Sequence, residues 1–205
     1  LDNFYLDNRY SSSLIDNYRY KLFKNSVNRT KKLKILHVTN FNERHNGRLY
    51  YNTGRRINNG LLKLGHTVQT LSDRDTISQE RKITDIYGTK SLNLKLLELV
   101  GNFTPDLIVI GHADQIYTDT LHLIKKFYPS ISISQWFLDK MDEKKWLNNK
   151  KRFIKKLEFI DSSFCTTHPT SLNFNNHKNI FFIPNPVDET VENLNIYSRK
   201  LYKED

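Results

Sequence analysis

The sequence predicts an α/β domain with a doubly wound, mostly parallel, Rossmann-like sheet. Short apolar, β-branched runs alternate with segments of helical periodicity, which is the pattern of a parallel sheet covered by helices. The clearest buried strand is the run Leu-Ile-Val-Ile at 107–110. With 205 residues, of which 38% are hydrophobic, the chain is long enough to bury one core.

The first strand-loop-helix-strand unit carries most of the functional signal. A strand at 33–39 is followed by a polar loop at 40–47, a helix at 48–64 and a second strand at 67–71. A second polar loop follows at 72–75. In a right-handed parallel unit both loops lie at the carboxyl edge of the sheet, where open α/β sheets bind ligands.

The rest of the chain continues the alternation. In order, the predicted elements are an irregular connection with a short strand at 76–90, a helix at 92–103, a strand at 107–110, a helix at 118–128, a strand at 130–135, a basic helix at 143–158, a strand within 159–167 and a strand at 179–183. We therefore divide the chain into an N-terminal extension (1–32), one domain (33–183) and a linker or tail (184–205).

Composition excludes some classes of protein. Cys165 is the only cysteine, so neither a disulfide framework nor a thiolate zinc site can form, and a reducing compartment is expected. No signal-peptide core and no apolar run of transmembrane length is present in the sequence, which predicts a cytoplasmic protein. The net charge of +10 permits an anionic partner but does not identify one.

Polar side chains gather in the loops predicted at the carboxyl edge. The candidate substrate-binding residues are Arg44, Asn46, Gly47, Arg48, Asn52, Asp73, Arg74, Asp75, Trp136 and His168. Singly, a turn residue of these types is more often a cap or a solvated group. Their convergence on one edge favours a ligand site, and no metal site is predicted among them.

Three residues that directly follow buried strands are the candidate catalytic groups. His112, Asp114 and Asp139 can approach one cleft as general bases. For each aspartate, capping of the following helix is an equally good interpretation. His37 lies inside the first strand and is interpreted as a core histidine, and His66 as a structural residue at the opposite edge.

The basic helix at 143–158 holds the densest positive charge, and its most common interpretation is a solvated face. Contact with an anionic membrane surface is the main alternative. Specific nucleic-acid binding is not predicted, because no recognition motif or stacking platform accompanies the charge. NAD binding is a minor alternative, since the first strand is not followed by a G-x-G-x-x-G motif.

Several segments resemble a known family. The run LHVTNFNERHNGRLYYNTGRRINNG at 36–60, with GH at 65–66 and SDRD at 72–75, is similar to the N-terminal half of CgeB-like glycosyltransferases of the GT-B fold. QWFLD at 135–139 and FIPNPVD at 182–188 resemble later segments of the same family. The resemblance implies an acceptor-side domain that works with a C-terminal donor domain. It also implies a nucleotide sugar as donor substrate, a glycan or other acceptor, and no cofactor or essential metal.

The second domain of that family is missing from the sequence in hand, so we expect the 205-residue chain alone to be inactive. A different class of function is a non-catalytic Rossmann-like binding module that keeps only the cleft.

Overall fold

The fold is an α/β domain built on one six-stranded sheet in which every strand is parallel to its neighbours. The computed structural model describes residues 31–172, 174, 179–190 and 192. The strands are β1 (Lys34–Thr39), β2 (Thr67–Ser72), β3 (Leu107–Gly111), β4 (Ser132–Phe137), β5 (Ser162–Cys165) and β6 (Ile180–Phe182), in the spatial order β2-β1-β3-β4-β5-β6. The predicted fold class is confirmed.

Among the described residues, five α-helices cover the two faces of this sheet. They are α1 (Thr53–Lys63), α2 (Asp73–Gln79), α3 (Thr89–Phe103), α4 (Thr118–Phe127) and α5 (Leu147–Ile154). Short 3-10 turns occur at 43–45, 144–146, 157–159 and 169–172. The alternation of side chains along each strand supplies an apolar surface to both helical layers.

The core divides according to these layers. Leu36 and Ile108 belong to the cluster that α3 and α4 cover, whereas their neighbours Ile35 and Val109 belong to the cluster that Ile57 of α1 covers. Phe153 of α5 belongs to a third cluster, which covers β4, β5 and β6 on the same face of the sheet as the cluster of α3 and α4. Because β1 lies between β2 and β3, the strand order reverses at β1, and the adjacent carboxyl ends of β1 and β3 leave a crevice there.

The first helix begins later than the sequence predicts. It starts at Thr53 instead of residue 48, because the Asn52 side chain accepts the backbone N–H of Arg55 and so caps the helix. Asn46 has a φ of 49°, in the left-handed region, which is incompatible with the start of a right-handed helix. Gly47 and Arg48 therefore lie in exposed turns before the helix.

The prediction of a loop at 72–75 followed by an irregular connection is wrong in part. Asp73–Gln79 is a helix that buries Asp73, Asp75 and Thr76. Its polar residues resembled a turn in the sequence, since aspartate favours turns when no tertiary contact holds it. An isolated antiparallel bridge joins Lys82 and Asp85.

Two later boundaries also differ from the prediction. Strand β4 reaches Phe137, where the sequence predicted an end at residue 135, because Trp136 and Phe137 pair with Phe164 and Cys165. The basic helix predicted at 143–158 is only Leu147–Ile154, flanked by 3-10 turns.

The segment after β6 returns to the domain. Asp188 is buried, and its carboxylate accepts hydrogen bonds from Asn59 at 2.6 Å and from Lys63 at 2.9 Å, both on α1. Residues 193–205 of the predicted linker and residues 1–30 of the predicted extension lie outside the described residues. Within the described part, no helix is long and apolar enough to cross a lipid bilayer.

Candidate functional site

A polar cavity of about 350 Å³ lies at the carboxyl edge, where β1, β3 and β4 end. It is lined by Thr39, Asn40, Asn52, Thr53, Gly54, Asp73, Arg74, Gly111, His112, Trp136, Leu138, Asp139 and Arg152. Six predicted site residues are among them: Asn52, Asp73, Arg74, His112, Trp136 and Asp139. The volume is in the range of sites for small molecules.

The wall of this cavity depends on a glycine under an indole ring. Gly111 ends β3, and a Cβ atom there would lie 2.0 Å from the Trp136 ring. Trp136 is buried, and its Nε1–H donates to His37 Nε2 at 3.3 Å. The other ring nitrogen of His37 faces Asn58 Oδ1 at 3.3 Å. These contacts hold the ring of Trp136 in one orientation.

His37 is a core histidine, as interpreted from the sequence. Burial lowers its pKa to about 4, although the hydrogen bond that its Nδ1–H donates to Asn58 Oδ1 acts in the opposite direction, so the ring is neutral at pH 7. His66 also has a structural partner, since its Nδ1 accepts the backbone N–H of Leu33 at 3.2 Å. Neither histidine lines the cavity.

His112 faces the cavity with a defined tautomer. Its Nε2 accepts the backbone N–H of Leu138 at 3.0 Å, so the ring proton belongs on Nδ1. That Nδ1 lies 3.6 Å from Asp139 Oδ2, which is beyond hydrogen-bond distance. Burial lowers the pKa of His112, and Arg152 lowers it further, while Asp139 opposes both. A neutral imidazole with a free N–H therefore points at a partly exposed carboxylate.

Arg152 joins two of the predicted catalytic residues. Its guanidinium lies 2.5 Å from Asp114 Oδ2 and 3.3 Å from Asp139 Oδ2. Neither aspartate caps a helix: the residue at the cap position of α4 is Tyr117, and that of the turn after Asp139 is Glu143. The capping interpretation is therefore wrong for both, and an arginine fork takes its place.

Asp73 is the most unusual carboxylate of the site. It is only 2% exposed, and its Oδ1 has no hydrogen-bond partner in the described part of the chain. Burial raises its pKa to about 6, against the opposing effects of Arg74 and Lys156. An unpaired buried oxygen of this kind costs folding free energy unless a water, an ion or a ligand satisfies it.

Asp75 has a different role from its neighbour. Its carboxylate accepts the backbone N–H groups of Glu43, at 2.8 Å, and Arg44, at 3.3 Å, together with the Ser72 hydroxyl. The Arg44 guanidinium binds it at 2.8 Å. Although burial alone would raise the pKa of Asp75, these hydrogen bonds lower it. Asp75 thus anchors the 40–47 loop, and it does not line the cavity.

A second cavity, of about 570 Å³, adjoins the first and shares Asp73 and Arg74 with it. Its lining residues are Arg44, Asp73, Arg74, Ile77, Ser78, Arg81, Tyr87, Thr89, Asp114, Gln115 and Tyr117. Arg44 and Asp114, both predicted as site residues, lie here and not in the first cavity.

The remaining predicted residues are placed elsewhere. Asn46, Gly47 and Arg48 are exposed and line neither cavity. His168 lies outside both cavities, where its Nδ1 is 2.7 Å from Thr170 Oγ1.

The basic run at 150–156 is less exposed than the sequence suggested. Arg152 binds the two aspartates, Lys156 is buried with its Nζ donating to the Ala113 carbonyl, and Lys150 Nζ donates to the Leu172 carbonyl at 2.7 Å. Burial lowers the pKa of Lys156 to about 8. Interpretation of the run as a solvated face is therefore wrong for these three residues, although Lys151 and Lys155 are exposed.

Several residues in or beside the two cavities were not identified from the sequence. Arg152, which lines the first cavity, and Lys156, which contacts the Ala113 carbonyl, were assigned to a solvated run. Arg81, Tyr87 and Tyr117, which line the second cavity, carried no distinguishing pattern. Arg152 and Lys156 are four residues apart, so in a helix they lie on the same face, and Lys151 and Lys155 lie on a different one. This spacing is the one sequence signal that could have distinguished the two pairs.

No group of three or more histidine, cysteine, aspartate or glutamate side chains in the described part of the chain is arranged to hold a metal ion. Comparisons with known proteins give no assignment: no protein-family model matches the chain, and no curated protein matches it.

Proposed function

We propose that this domain is the acceptor-side half of a glycosyltransferase, which holds a hydroxyl-bearing acceptor at the carboxyl edge of the sheet. The observation that supports this most directly is the pair of His112 and Asp139 facing the first cavity. A carboxylate within reach of a bound hydroxyl can accept its proton as the hydroxyl attacks the sugar carbon. The resemblance of 36–60 to CgeB-like enzymes supports the same assignment.

Each side chain of the pair has a distinct part in the proposed reaction. Asp139 is the base that removes the acceptor proton. His112 donates its Nδ1–H to an acceptor oxygen and so orients the hydroxyl, because its Nε2 is already occupied by the Leu138 N–H. The nucleotide sugar is the donor substrate, and a C-terminal domain supplies the groups that stabilise its leaving diphosphate.

A second candidate function is a binding module that transfers nothing. The observation that favours it is the Arg152 fork, because both carboxylates are already held by a guanidinium. In this alternative, Arg152 fixes Asp114 and Asp139 as hydrogen-bond acceptors for a polyol, and neither removes a proton.

The test is turnover by a protein that joins this chain to a donor domain. Asp139→Asn should lower kcat by about 100-fold or more, which is the usual contribution of a general base, while acceptor binding and unfolding free energy stay near wild type. Asp142→Asn is the matched control, since Asp142 is a nearby surface carboxylate outside both cavities.

The outcomes separate the two candidates. Acceptor binding without transfer by the wild-type two-domain protein supports the binding module. If Asp139→Asn unfolds but its folded fraction keeps normal specific activity, Asp139 is a structural residue and the proposed role is wrong.

The proposal also predicts that the purified 205-residue chain does not transfer sugar, because it lacks the donor-side contacts. Transfer from a panel of radiolabelled nucleotide sugars by this chain alone would contradict the need for a second domain.

A further inference from the structure

The second cavity combines positive charge with aromatic side chains. Arg44, Arg74 and Arg81 line it together with Tyr87 and Tyr117. The two tyrosines are partly exposed and can offer ring surface and hydroxyl groups. At about 570 Å³ the cavity can hold a monosaccharide with a substituent.

Two of the three arginines have no carboxylate partner. Neither Arg74 nor Arg81 makes an ion pair within the described part of the chain, whereas Arg44 is held by Asp75. The other aspartate at the wall, Asp114, is already bound by Arg152. The cavity therefore has an excess of guanidinium groups, whose planar donors match the oxygens of a phosphate.

The backbone N–H groups at the N-terminus of helix α3 are not the groups that would bind an anion in this cavity. Thr89 is at this helix start, but the nearby backbone N–H of Ser91 already donates to Asp85 Oδ2 at 2.7 Å. That contact lowers the pKa of Asp85, as expected for a carboxylate that caps a helix. The arginines are thus the groups available to a ligand.

Asp73 adds a second and independent requirement. It lines both cavities, it is nine-tenths or more buried, and its Oδ1 has no partner among the described residues. A carboxylate oxygen accepts hydrogen bonds only, so the group that satisfies it must be a donor such as a hydroxyl. The phosphate group of a monoester dianion has no O–H, so this donor must come from the rest of the molecule.

We propose that the second cavity binds the phosphate of a phosphorylated saccharide or polyol, and that Asp73 accepts a hydrogen bond from a hydroxyl of the same molecule. This inference rests on the proposed function, since it makes the acceptor a phosphate-bearing one. Arg74 and Arg81 bind the phosphate, and Asp73 selects molecules that carry a hydroxyl beside it. The first cavity, across Asp73, then receives the hydroxyl that reacts.

The first experiment measures binding to the 205-residue chain by calorimetry at pH 8, with methyl phosphate, glucose 6-phosphate, glucose and uridine diphosphate as probes. Both monoesters are dianions at this pH, and methyl phosphate has no hydroxyl group. We expect glucose 6-phosphate to bind about tenfold more tightly than methyl phosphate, which is the size of one charge-assisted hydrogen bond. Glucose should bind most weakly. If uridine diphosphate binds at these residues and glucose 6-phosphate does not, the site serves a donor nucleotide and the proposal is overturned.

The second experiment changes the two unpaired arginines. Arg74→Gln with Arg81→Gln should weaken the binding of methyl phosphate and glucose 6-phosphate alike, by about tenfold or more. Lys82→Gln is the control for Arg81, because it removes one positive charge from the neighbouring residue, which lies outside the cavity. Equal loss in the control and the double variant would mean that general positive charge, and not this cavity, attracts the anion.

The third experiment isolates Asp73. Asp73→Leu should abolish the preference for glucose 6-phosphate over methyl phosphate without weakening the binding of methyl phosphate, which also reports that the variant is folded. Asp73→Asn keeps one acceptor oxygen and should restore part of the preference. If the preference survives in Asp73→Leu, Asp73 does not contact the ligand. These measurements use no donor sugar, so they can succeed or fail independently of glycosyl transfer.

Discussion

The Arg152 guanidinium lies 2.5 Å from the Asp114 carboxylate, although the two residues are separated by 38 positions in the chain. The same guanidinium contacts Asp139, so one side chain of α5 connects the loops that follow β3 and β4. Both side chains also act on His112: Arg152 lowers the pKa of this histidine, and Asp139 raises it.

Removal of Arg152 should therefore be visible at His112. In Arg152→Gln we expect the pKa of His112 to rise, because the positive charge that lowers this pKa is removed while the negative charge of Asp139, which raises it, remains. The measurement is an NMR titration of the His112 ring protons in both proteins. Lys155→Gln, which removes an exposed charge from the same run, should leave the titration unchanged. A fall in the pKa of His112 in Arg152→Gln would contradict the electrostatic role of the fork.

Asp73 should make the fold less stable at neutral than at mildly acidic pH. Its folded pKa is raised from 3.8 to about 6, so the folded state holds the proton more tightly than the unfolded state. The contribution of Asp73 to stability is then most favourable below about pH 4 and is lost as pH rises through 6, by an amount on the order of 2–3 kcal/mol.

Urea unfolding at pH 5 and pH 8 tests this. Asp73→Asn should be more stable than wild type at pH 8 and should show a smaller difference between the two pH values. Glu98→Gln, which removes an exposed carboxylate from α3, is the control and should follow wild type. A variant at Asp73 that is less stable than wild type at pH 8 would mean that its carboxylate has a partner in the folded protein.

Gly111 and Gly60 provide a matched pair of glycine substitutions. Gly111→Ala should destabilise the fold by about 1–3 kcal/mol, because its Cβ would overlap the Trp136 ring. Gly60→Ala lies in α1, where a Cβ would meet nothing within 4 Å, and should stabilise by about 0.5–1 kcal/mol. Denaturant unfolding measures both, and tryptophan fluorescence in a Trp146→Phe background reports the movement of Trp136. Equal effects of the two substitutions would disprove the close contact.

Asp188 should contribute stability that is lost in acid. Hydrogen bonds from Lys63 and Asn59 hold its pKa well below the usual value, so its contribution is present above about pH 4 and disappears as pH falls further. Asp188→Asn should lower Tm at pH 7, and the difference from wild type should shrink at pH 2 to 3. The exposed neighbour Glu189 provides the control, Glu189→Gln, for which we expect little change at either pH. A constant difference across this range would show that packing, and not charge, holds the segment.

The sequence was sufficient for the parts of the fold that depend on local pattern. Strands β1 and β3 were predicted because an uninterrupted apolar run has few other interpretations, and α3 because its leucines recur at helical spacing. Helix α2 was missed because it buries aspartate, and only the tertiary contacts of Asp73 and Asp75 make that favourable. The start of α1 was missed because Asn46 and Asn52 are equally plausible caps when only residue types are known.

For the candidate site as well, local sequence pattern predicted the positions of residues but not their long-range contacts. Placement of His112 and Asp139 at one edge required only the strand ends and parallel topology. The partners of these side chains required the folded structure: Arg152 reaches Asp114 across 38 residues, and the Lys156 ammonium reaches the Ala113 carbonyl across 43. No rule based on sequence spacing predicts such long-range pairs.

Asp73 and Arg74 belong to the walls of both cavities, and this common wall has a thermodynamic consequence. A ligand that binds Arg74 or protonates Asp73 from one side changes the charge presented to the other side. Any such effect must be reciprocal, because the coupling free energy between two bound ligands is the same whichever binds first. The affinity of a ligand for one cavity therefore depends on whether the other cavity is empty or occupied. The binding free energy of an acceptor that spans both cavities would be the sum of the two separate interactions and their coupling free energy.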